Sequence, residues 1–343
     1  MPPTAPRRRA ERVPRRSRLR PGRRVGVMVW ALVLVAGMAA LAYAALPDAP
    51  AYVGESGGVA IAVAFTTGLL ARTGGRTFVY GALATALGAA VVVTDEPVLR
   101  TGAAVLTCVV TAVFAVMATT PAATVLNAAR EVVVAMLVGV VGAAAVVGLE
   151  PTVSLDRFAY TTLGASLALS LVVVYRLGAG LHGLGRRGLV AVVIGGGLLA
   201  LTMAYAEVLR RYGAPDLVDT LLEGRSWALE TLHGAPRPVQ ALLGVPALVW
   251  GTHMRARRRQ GWWVCAFGVT AAAQVTHTFL DPTLTVTQAG LTTVYSVVLG
   301  IVIGAIVIRV DVLLTGSRRG RRARTGHEAG ALRPEPGRTQ PLL

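Results

Sequence analysis

The sequence predicts an all-α integral membrane protein, a polytopic bundle of about ten transmembrane helices with both chain ends in the cytoplasm. Hydrophobic residues make up 54% of the chain and charged residues 15%, and the mean hydropathy is +0.60. Soluble domains usually carry about 25% charged residues, so this composition fits helices that face lipid. The 34 basic residues are all arginines, and they cluster between long apolar stretches.

Ten apolar stretches of 15 to 22 residues follow one another along the chain. A helix of about 20 residues, rising about 1.5 Å per residue, crosses a hydrocarbon core of about 30 Å. The ten predicted spans are residues 25–46, 57–71, 77–94, 101–119, 132–149, 158–175, 189–204, 239–253, 262–280 and 287–308. The glycine run at 195–197 and Pro246 predict bends in the seventh and eighth spans, because both residue types weaken a helix.

The arginines set the predicted orientation. Segments on the amino-terminal side of the membrane hold 28 arginines and those on the opposite side hold 6, whereas the acidic residues divide 5 to 12. Arginine-rich loops stay in the cytoplasm by the positive-inside rule. Residues 1–24 and 309–343 are therefore predicted to be basic, disordered cytoplasmic tails that contact anionic lipid. No aromatic residues interleave with their arginines, so nucleic acid is not an expected partner.

The amino-terminal segment has an alternative interpretation. Arg15-Arg16 resembles a twin-arginine signal and Ala42-Tyr43-Ala44 a cleavage site, and cleavage would leave nine spans. The apolar run is longer than the usual signal core of about 7–15 residues, which favours an uncleaved anchor. The absence of lysine, with a single asparagine at Asn127, indicates a GC-rich bacterial genome and hence a bacterial cytoplasmic (inner) membrane.

Charged residues are missing from the centres of the predicted spans. Ion-coupled transporters and proton relays place such residues at mid-membrane, so the sequence favours a non-enzymatic transport protein or an accessory protein of the cell envelope. Cys108 and Cys265 stand alone in apolar stretches without metal-ligand spacing. Neither a metal nor a cofactor is therefore expected.

One helical face at the outer end of the ninth span carries polar residues. Gln274, His277 and Asp281 lie at positions i, i+3 and i+7 of this face. In a catalytic interpretation, Asp281 hydrogen-bonds His277, which then acts as a base near neutral pH. In the alternative interpretation, these residues form a polar helix end among the lipid headgroups.

The longest predicted outer loop, residues 205–238, contains amphipathic segments before and after Gly224. Such segments commonly lie flat in the membrane interface, with a tryptophan such as Trp227 at headgroup level. The alternative is a lid over an outward-facing site, in which Arg225 binds an anionic headgroup or a phosphate in bidentate fashion.

Two short strings resemble the bacterial O-antigen ligase and polymerase family. They are Gly224-Arg225-Ser226-Trp227, followed by Leu242-Leu243-Gly244-Val245, and His277-Thr278-Phe279-Leu280, followed by Gly290-Leu291. The resemblance implies an envelope enzyme that acts on lipid-linked glycans from the outer face, with Arg225 and His277 in its site. Thr278 stands where that family has an asparagine.

Gly300 and Gly304 form a G-x-x-x-G pattern in the last predicted span. The pattern lets two helices approach closely. It predicts either helix packing within the bundle or self-association of two chains.

The arginine asymmetry generates a topological prediction. A reporter fused after Arg319 should behave as cytoplasmic, and one inserted in residues 215–234 should behave as external, because translocation of arginine-rich segments is disfavoured. Paired phosphatase and fluorescent-protein fusions measure this directly. An external carboxyl terminus would contradict the predicted orientation.

Overall fold

The structure is a computed structural model that describes residues 21–179, 193–197, 199–201, 215–257, 260–316 and 335–342. Within these ranges the regular secondary structure is entirely helical, and no strand occurs. The predicted all-α class is therefore confirmed. Of the predicted tails, 1–24 and 309–343, residues 1–20, 317–334 and 343 lie outside the described residues, residues 21–24 and 309–316 are helical, and residues 335–342 contact the bundle.

Eleven helices are assigned in the described ranges. They are α1 (Pro21–Ala44), α2 (Ala51–Thr73), α3 (Thr77–Thr94), α4 (Pro97–Met117), α5 (Val125–Gly148), α6 (Leu155–Val174), α7 (Pro215–Thr231), α8 (Val245–Arg255), α9 (Gly261–Ala266), α10 (Val269–Phe279) and α11 (Val286–Gly316). A π-helical turn, Tyr175–Ala179, extends α6, and a second one, Val239–Gly244, leads directly into α8.

Among the described residues, seven helices are long and apolar enough to cross a membrane, so the chain is an integral membrane protein. They are α1 to α6 and α11, at the positions of the first six and the last predicted spans. Half of the seventh predicted span, residues 189–204, lies outside the described residues, and its described parts, 193–197 and 199–201, are helical. The eighth and ninth predicted spans are helical but interrupted, and the total of ten is not confirmed.

The interruptions turn residues 239–279 into a bent hairpin at the centre of the bundle. Pro246 has no N–H, which weakens the helical ladder before it, and Val245 N donates to Gln240 O five residues back. The bend predicted at Pro246 thus coincides with a π turn. In the second arm, i→i−3 bonds at Phe267 and Gly268 separate α9 from α10. The residues of α9 and α10 are almost all buried.

Glycines bring the two arms of this hairpin into backbone contact. A Cβ atom at Gly251 would lie 2.7 Å from Cys265 N, and one at Gly244 would lie 2.4 Å from Ala271 N. Both distances are shorter than real Cβ contacts, and backbone atoms cannot rotate away. The arms can therefore pack this closely only with glycine at these positions.

Helix α11 covers one side of the hairpin. Gly300 packs against Val245, and Gly304 packs against Val249. A Cβ atom added at either glycine would lie within 2.6 Å of the valine. The G-x-x-x-G pattern is thus used for packing within the chain, and self-association through it remains a prediction. Nearer the carboxyl end of α11, Trp250 Nε1 donates to Asp311 Oδ2 at 3.5 Å.

The ends of the helices define two faces of the bundle. The tail face is the end that carries Arg72, Thr119, Glu131 and Arg255 together with residues 335–342. The loop face is the opposite end, which carries Glu55, Arg100, Arg237 and Asp281. The tail face corresponds to the predicted cytoplasmic side.

The glycine contacts predict that two alanine substitutions will have different effects on the stability of the fold. Gly251→Ala should lower the melting temperature in detergent, because the new Cβ meets the backbone of Cys265. Gly164→Ala is the matched control, since nothing lies within 4 Å of a Cβ there. It should leave stability unchanged or raise it by up to about 1 kcal/mol through helix propensity. Equal melting temperatures for both variants would contradict the close contact.

Candidate functional site

Helix α6 presents three hydroxyl groups to the interior of the bundle. Thr162, Ser166 and Ser170 are spaced by four residues, so they share one face, and each is fully buried. Helix α6 packs against α4, α9 and α10. This hydroxyl face therefore points at the central hairpin and away from lipid.

His277 lies at the loop-face end of this hydroxyl row. Its side chain is buried, with Nε2 2.8 Å from Thr162 Oγ1 and its ring edge-on to Phe158 at a centroid distance of 6.0 Å. The Thr162 hydroxyl donates its one proton to Phe158 O at 2.7 Å. His277 Nε2 is therefore the donor to Thr162, and the imidazole carries its proton on that nitrogen.

Five buried polar oxygens of the interior have no hydrogen-bond partner among the described residues. They are Thr111 Oγ1, Ser166 Oγ, Ser170 Oγ, Gln240 Oε1 and Thr276 Oγ1, and these groups are called the polar interior. Serine and threonine in helices usually bond to a carbonyl one turn back, as Thr107 does to Ala103 O. A buried oxygen without a partner is costly, so these five side chains fit contact with water or with a polar solute.

Cys108 of α4 lies beside this interior. Its thiol is buried and faces the hydroxyls of Thr162 and Thr276. The second cysteine, Cys265, is buried where α9 meets Gly251 of α8. The chain thus carries one natural thiol next to the hydroxyl face and one away from it.

Asp281 is the centre of an ionic cluster on the loop face. Arg237 Nη2 donates to its Oδ2 at 3.0 Å, and Thr283 donates to Oδ1 from both its backbone N–H and its hydroxyl. Burial alone would raise the pKa of Asp281, but the Thr283 hydrogen bonds and the Arg237 charge together hold that pKa below its ordinary value.

The predicted hydrogen bond between His277 and Asp281 is absent. Asp281 follows the end of α10, where the chain turns, and its oxygens are taken by Arg237 and Thr283. His277 bonds to Thr162 instead. The helical spacing placed both residues at the same end of α10, but it carried no information about these neighbours on other elements.

The described part of the predicted outer loop, residues 215–238, folds back over the end of α10. Arg225 of α7 lies 3.9 Å from Asp281 through Nη2 and Oδ2, with its side chain half exposed. The segment after α7 follows α11: Tyr295 Oη donates to Leu232 O, and Arg237 N donates to Ser296 Oγ. The structure thus brings Arg225 to Asp281, one helical turn beyond His277.

A second ionic group on the loop face joins α2 to the α3–α4 turn. Arg100 bonds to Glu55, which is buried, and to the exposed Asp95. Asp95 itself has a φ of 55°, a left-handed conformation that ends α3. These ion pairs connect the loop-face ends of α2, α3 and α4.

The tail face holds a larger cluster that sequence reasoning missed. Arg255, fully buried, donates to Thr119 Oγ1 at 2.7 Å and to Glu335 Oε2 at 2.7 Å, and its guanidinium lies 3.5 Å above the Trp262 ring. Glu131, also buried, accepts from Thr120 N at 2.8 Å and from Arg338 Nη2. The closing residues of the chain therefore complete this cluster.

Arg72 at the end of α2 is the third buried charge of the cluster. Its Nε donates to Met117 O at 2.9 Å, and its Nη1 donates to Gly337 O at 2.7 Å and to Gln340 O at 2.5 Å. In the reverse direction, Leu342 N donates to Arg72 O. Residues 335–342 are thus bound across the tail face by both side chains and backbone.

Comparison with known proteins gives no relative: no protein-family model, curated protein or solved structure matches the chain. Within the described part of the chain, no group of three or more histidine, cysteine or acidic side chains could hold a metal ion. The polar interior and the two clusters that flank it are therefore the features that indicate a function.

The loop-face cluster generates a pH-dependent prediction. Asp281→Asn removes a charged acceptor from Arg237, so the free energy of unfolding at pH 7 should fall by about 1–3 kcal/mol. Because the pKa of Asp281 is lowered in the fold, its stabilisation is fully present above the ordinary value of 3.8 and is lost as the pH falls below that value. Thermal unfolding between pH 3 and pH 8 measures the effect.

The matched control is Asp219→Asn, which removes an exposed carboxylate from α7. This control should unfold like the wild type at every pH. If Asp281→Asn kept its deficit at the lowest pH, the deficit would not come from the ionised carboxylate.

Proposed function

We propose that the chain is a membrane transport protein that carries a small polar solute through its polar interior. In this proposal the membrane is the bacterial cytoplasmic membrane and the tail face lies in the cytoplasm. The loop-face cluster around Asp281 closes the outer end of the path, and the tail-face cluster around Arg255 closes the inner end.

The observation that carries the proposal is the set of unpartnered buried oxygens. Ser166 and Ser170 do not bond back to their own helix and have no other partner among the described residues. Structural serines in membrane helices normally satisfy their hydroxyl groups locally or across a helix interface. Hydroxyls held free toward a central, interrupted hairpin are suited to exchange hydrogen bonds with a passing solute.

The interrupted hairpin is the second support. Broken helices line the solute sites of many transporters, since their freed backbone groups can bind solute and their short segments can move separately. The π turn before Pro246 and the break at Gly268 supply two such interruptions side by side. Both interruptions lie beside α9 and α10, whose residues are almost all buried.

The burial of His277 supports transport over catalysis on lipid-linked glycans. A general base must come within hydrogen-bond distance of its substrate, but the side chain of His277 is 2% exposed and its Nε2 is bonded to Thr162. Arg225 is accessible, yet it is paired with Asp281, which Arg237 also binds. Because Arg225 and Arg237 both pair with Asp281, a role for these two arginines in closing the loop face is favoured over a catalytic one.

Side-specific labelling of Cys108 tests the proposal. In a Cys265→Ala background, a small membrane-impermeant methanethiosulfonate should modify Cys108 slowly in oriented proteoliposomes. Asp281→Asn should accelerate modification from the loop face by about tenfold, since a shift of about 1.4 kcal/mol in an opening equilibrium changes a population by that factor. Modification from the tail face should change much less.

Asp219→Asn is again the matched control and should leave the labelling rate unchanged. An accessory protein with a solid core predicts a different result, in which Cys108 stays unmodified from both faces in all variants. That outcome, obtained with correctly folded protein, would overturn the transport proposal.

A further inference from the structure

We infer that the tail face contains an oxyanion-binding site, built by Arg72 and Arg255, and that the carboxyl-terminal segment fills this site with the carboxylate of Glu335. The ligand class is a phosphate or a carboxylate. The inference goes beyond the transport proposal, because it rests on the tail-face geometry and stands whether or not the interior conducts a solute.

Arg255 is prepared for an oxyanion by contacts that leave its guanidinium facing the tail. Trp262 stacks on the guanidinium plane at 3.5 Å, and Thr119 accepts from Nη1 and, through its carbonyl, from Nη2. Glu335 Oε2 accepts from Nη2 at 2.7 Å, and it is the carboxylate paired with this arginine. A stacked and partly bonded guanidinium has a fixed orientation, so it loses little entropy on binding an oxyanion.

Arg72 provides the second cation next to the first. The residues that follow Glu335 in the chain, Pro336 and Gly337, accept from Arg72 Nη1 through their carbonyl oxygens. The two guanidiniums are therefore brought to adjoining residues of the same segment. Arg72 Nη2 is buried and has no partner among the described residues, so this arginine has a donor that is not yet used.

The carboxyl-terminal segment resembles a tethered ligand more than a structural part of the bundle. Its side-chain contact with Arg255 uses a carboxylate, the acceptor that a soluble oxyanion would also offer, and its backbone carbonyl oxygens accept from Arg72. Without the segment, Glu131 keeps Thr120 N and Arg130 as partners, whereas Arg72 and Arg255 keep only uncharged acceptors. Two partly desolvated arginines without a carboxylate attract an oxyanion strongly.

Two sources could supply the same chemistry: a soluble oxyanion and the phosphate headgroup of an anionic lipid. Both present oxygens in the geometry that a guanidinium fork binds. The tail face carries the ends of α2, α4 and α8, so a headgroup at the membrane surface and a soluble anion could both reach it. The experiment therefore has one arm for each source.

The first arm titrates inorganic phosphate into the purified full-length protein in a non-ionic detergent, followed by isothermal calorimetry. Glu335→Gln should bind phosphate about tenfold more tightly than the wild type, because the competing carboxylate no longer holds the site closed. The matched control is Glu328→Gln, which removes the other glutamate of the same tail and should bind phosphate like the wild type.

The second arm measures the same variants in nanodiscs of phosphatidylcholine with and without phosphatidylglycerol. If a lipid headgroup is the ligand, phosphatidylglycerol should raise the melting temperature of Glu335→Gln more than that of the wild type, and soluble phosphate should compete with it. A synthetic peptide of residues 333–343 should displace either ligand from a variant truncated before Glu335.

Arg255→Lys, made in the Glu335→Gln background, keeps the charge and the fold but removes the guanidinium fork. It should lose most of the gain in affinity for phosphate or for the anionic lipid. Equal affinity of the wild type and Glu335→Gln for both ligands would overturn the inference. If the gain in affinity caused by Glu335→Gln persisted after Arg255→Lys was added, the inference would also be overturned.

Discussion

The close backbone contact between the two arms of the central hairpin is the constraint on which the rest of the bundle depends. Gly244 and Gly251 allow α8 to approach α10 and α9 closely, and no larger residue fits there without displacing the backbone. The arms are short and interrupted, so their free polar groups must be shielded from hydrocarbon. The long helices α4, α5, α6 and α11 supply that shield, while α1 and α3 remain largely exposed toward the surroundings.

Enclosure of the hairpin concentrates polarity inside an otherwise apolar protein. The polar interior lies between a cluster centred on Asp281 at the loop face and a cluster centred on Arg255 at the tail face. Charged groups in these clusters are paired across elements distant in sequence, such as Arg255 with Glu335 and Arg338 with Glu131. The geometry of each cluster therefore depends on the relative positions of several helices.

Much of the fold follows from the sequence because hydropathy and arginine placement are local signals. The first six spans and the last were predicted close to their observed positions, and Pro246 lies next to the π turn that interrupts the eighth span. The site was less predictable. Arg255 stands in a run of arginines that the positive-inside rule fully accounts for, and nothing local separates it from the exposed Arg257. The partner of Arg255, Glu335, lies 80 residues further along the chain, and the same distance problem hid Arg237 as the partner of Asp281.

The length of α11 has a mechanical consequence. Its 31 residues extend roughly 46 Å at about 1.5 Å per residue, whereas α3, with 18 residues, extends only about 27 Å. A hydrocarbon core of about 30 Å matches α3 but is overspanned by α11, which must tilt or project beyond it. The Trp250–Asp311 hydrogen bond fastens the overhanging part of α11 to α8. If α11 meets the mismatch by tilting, a change in bilayer thickness would alter that tilt and be felt by the hairpin through its contacts with α11.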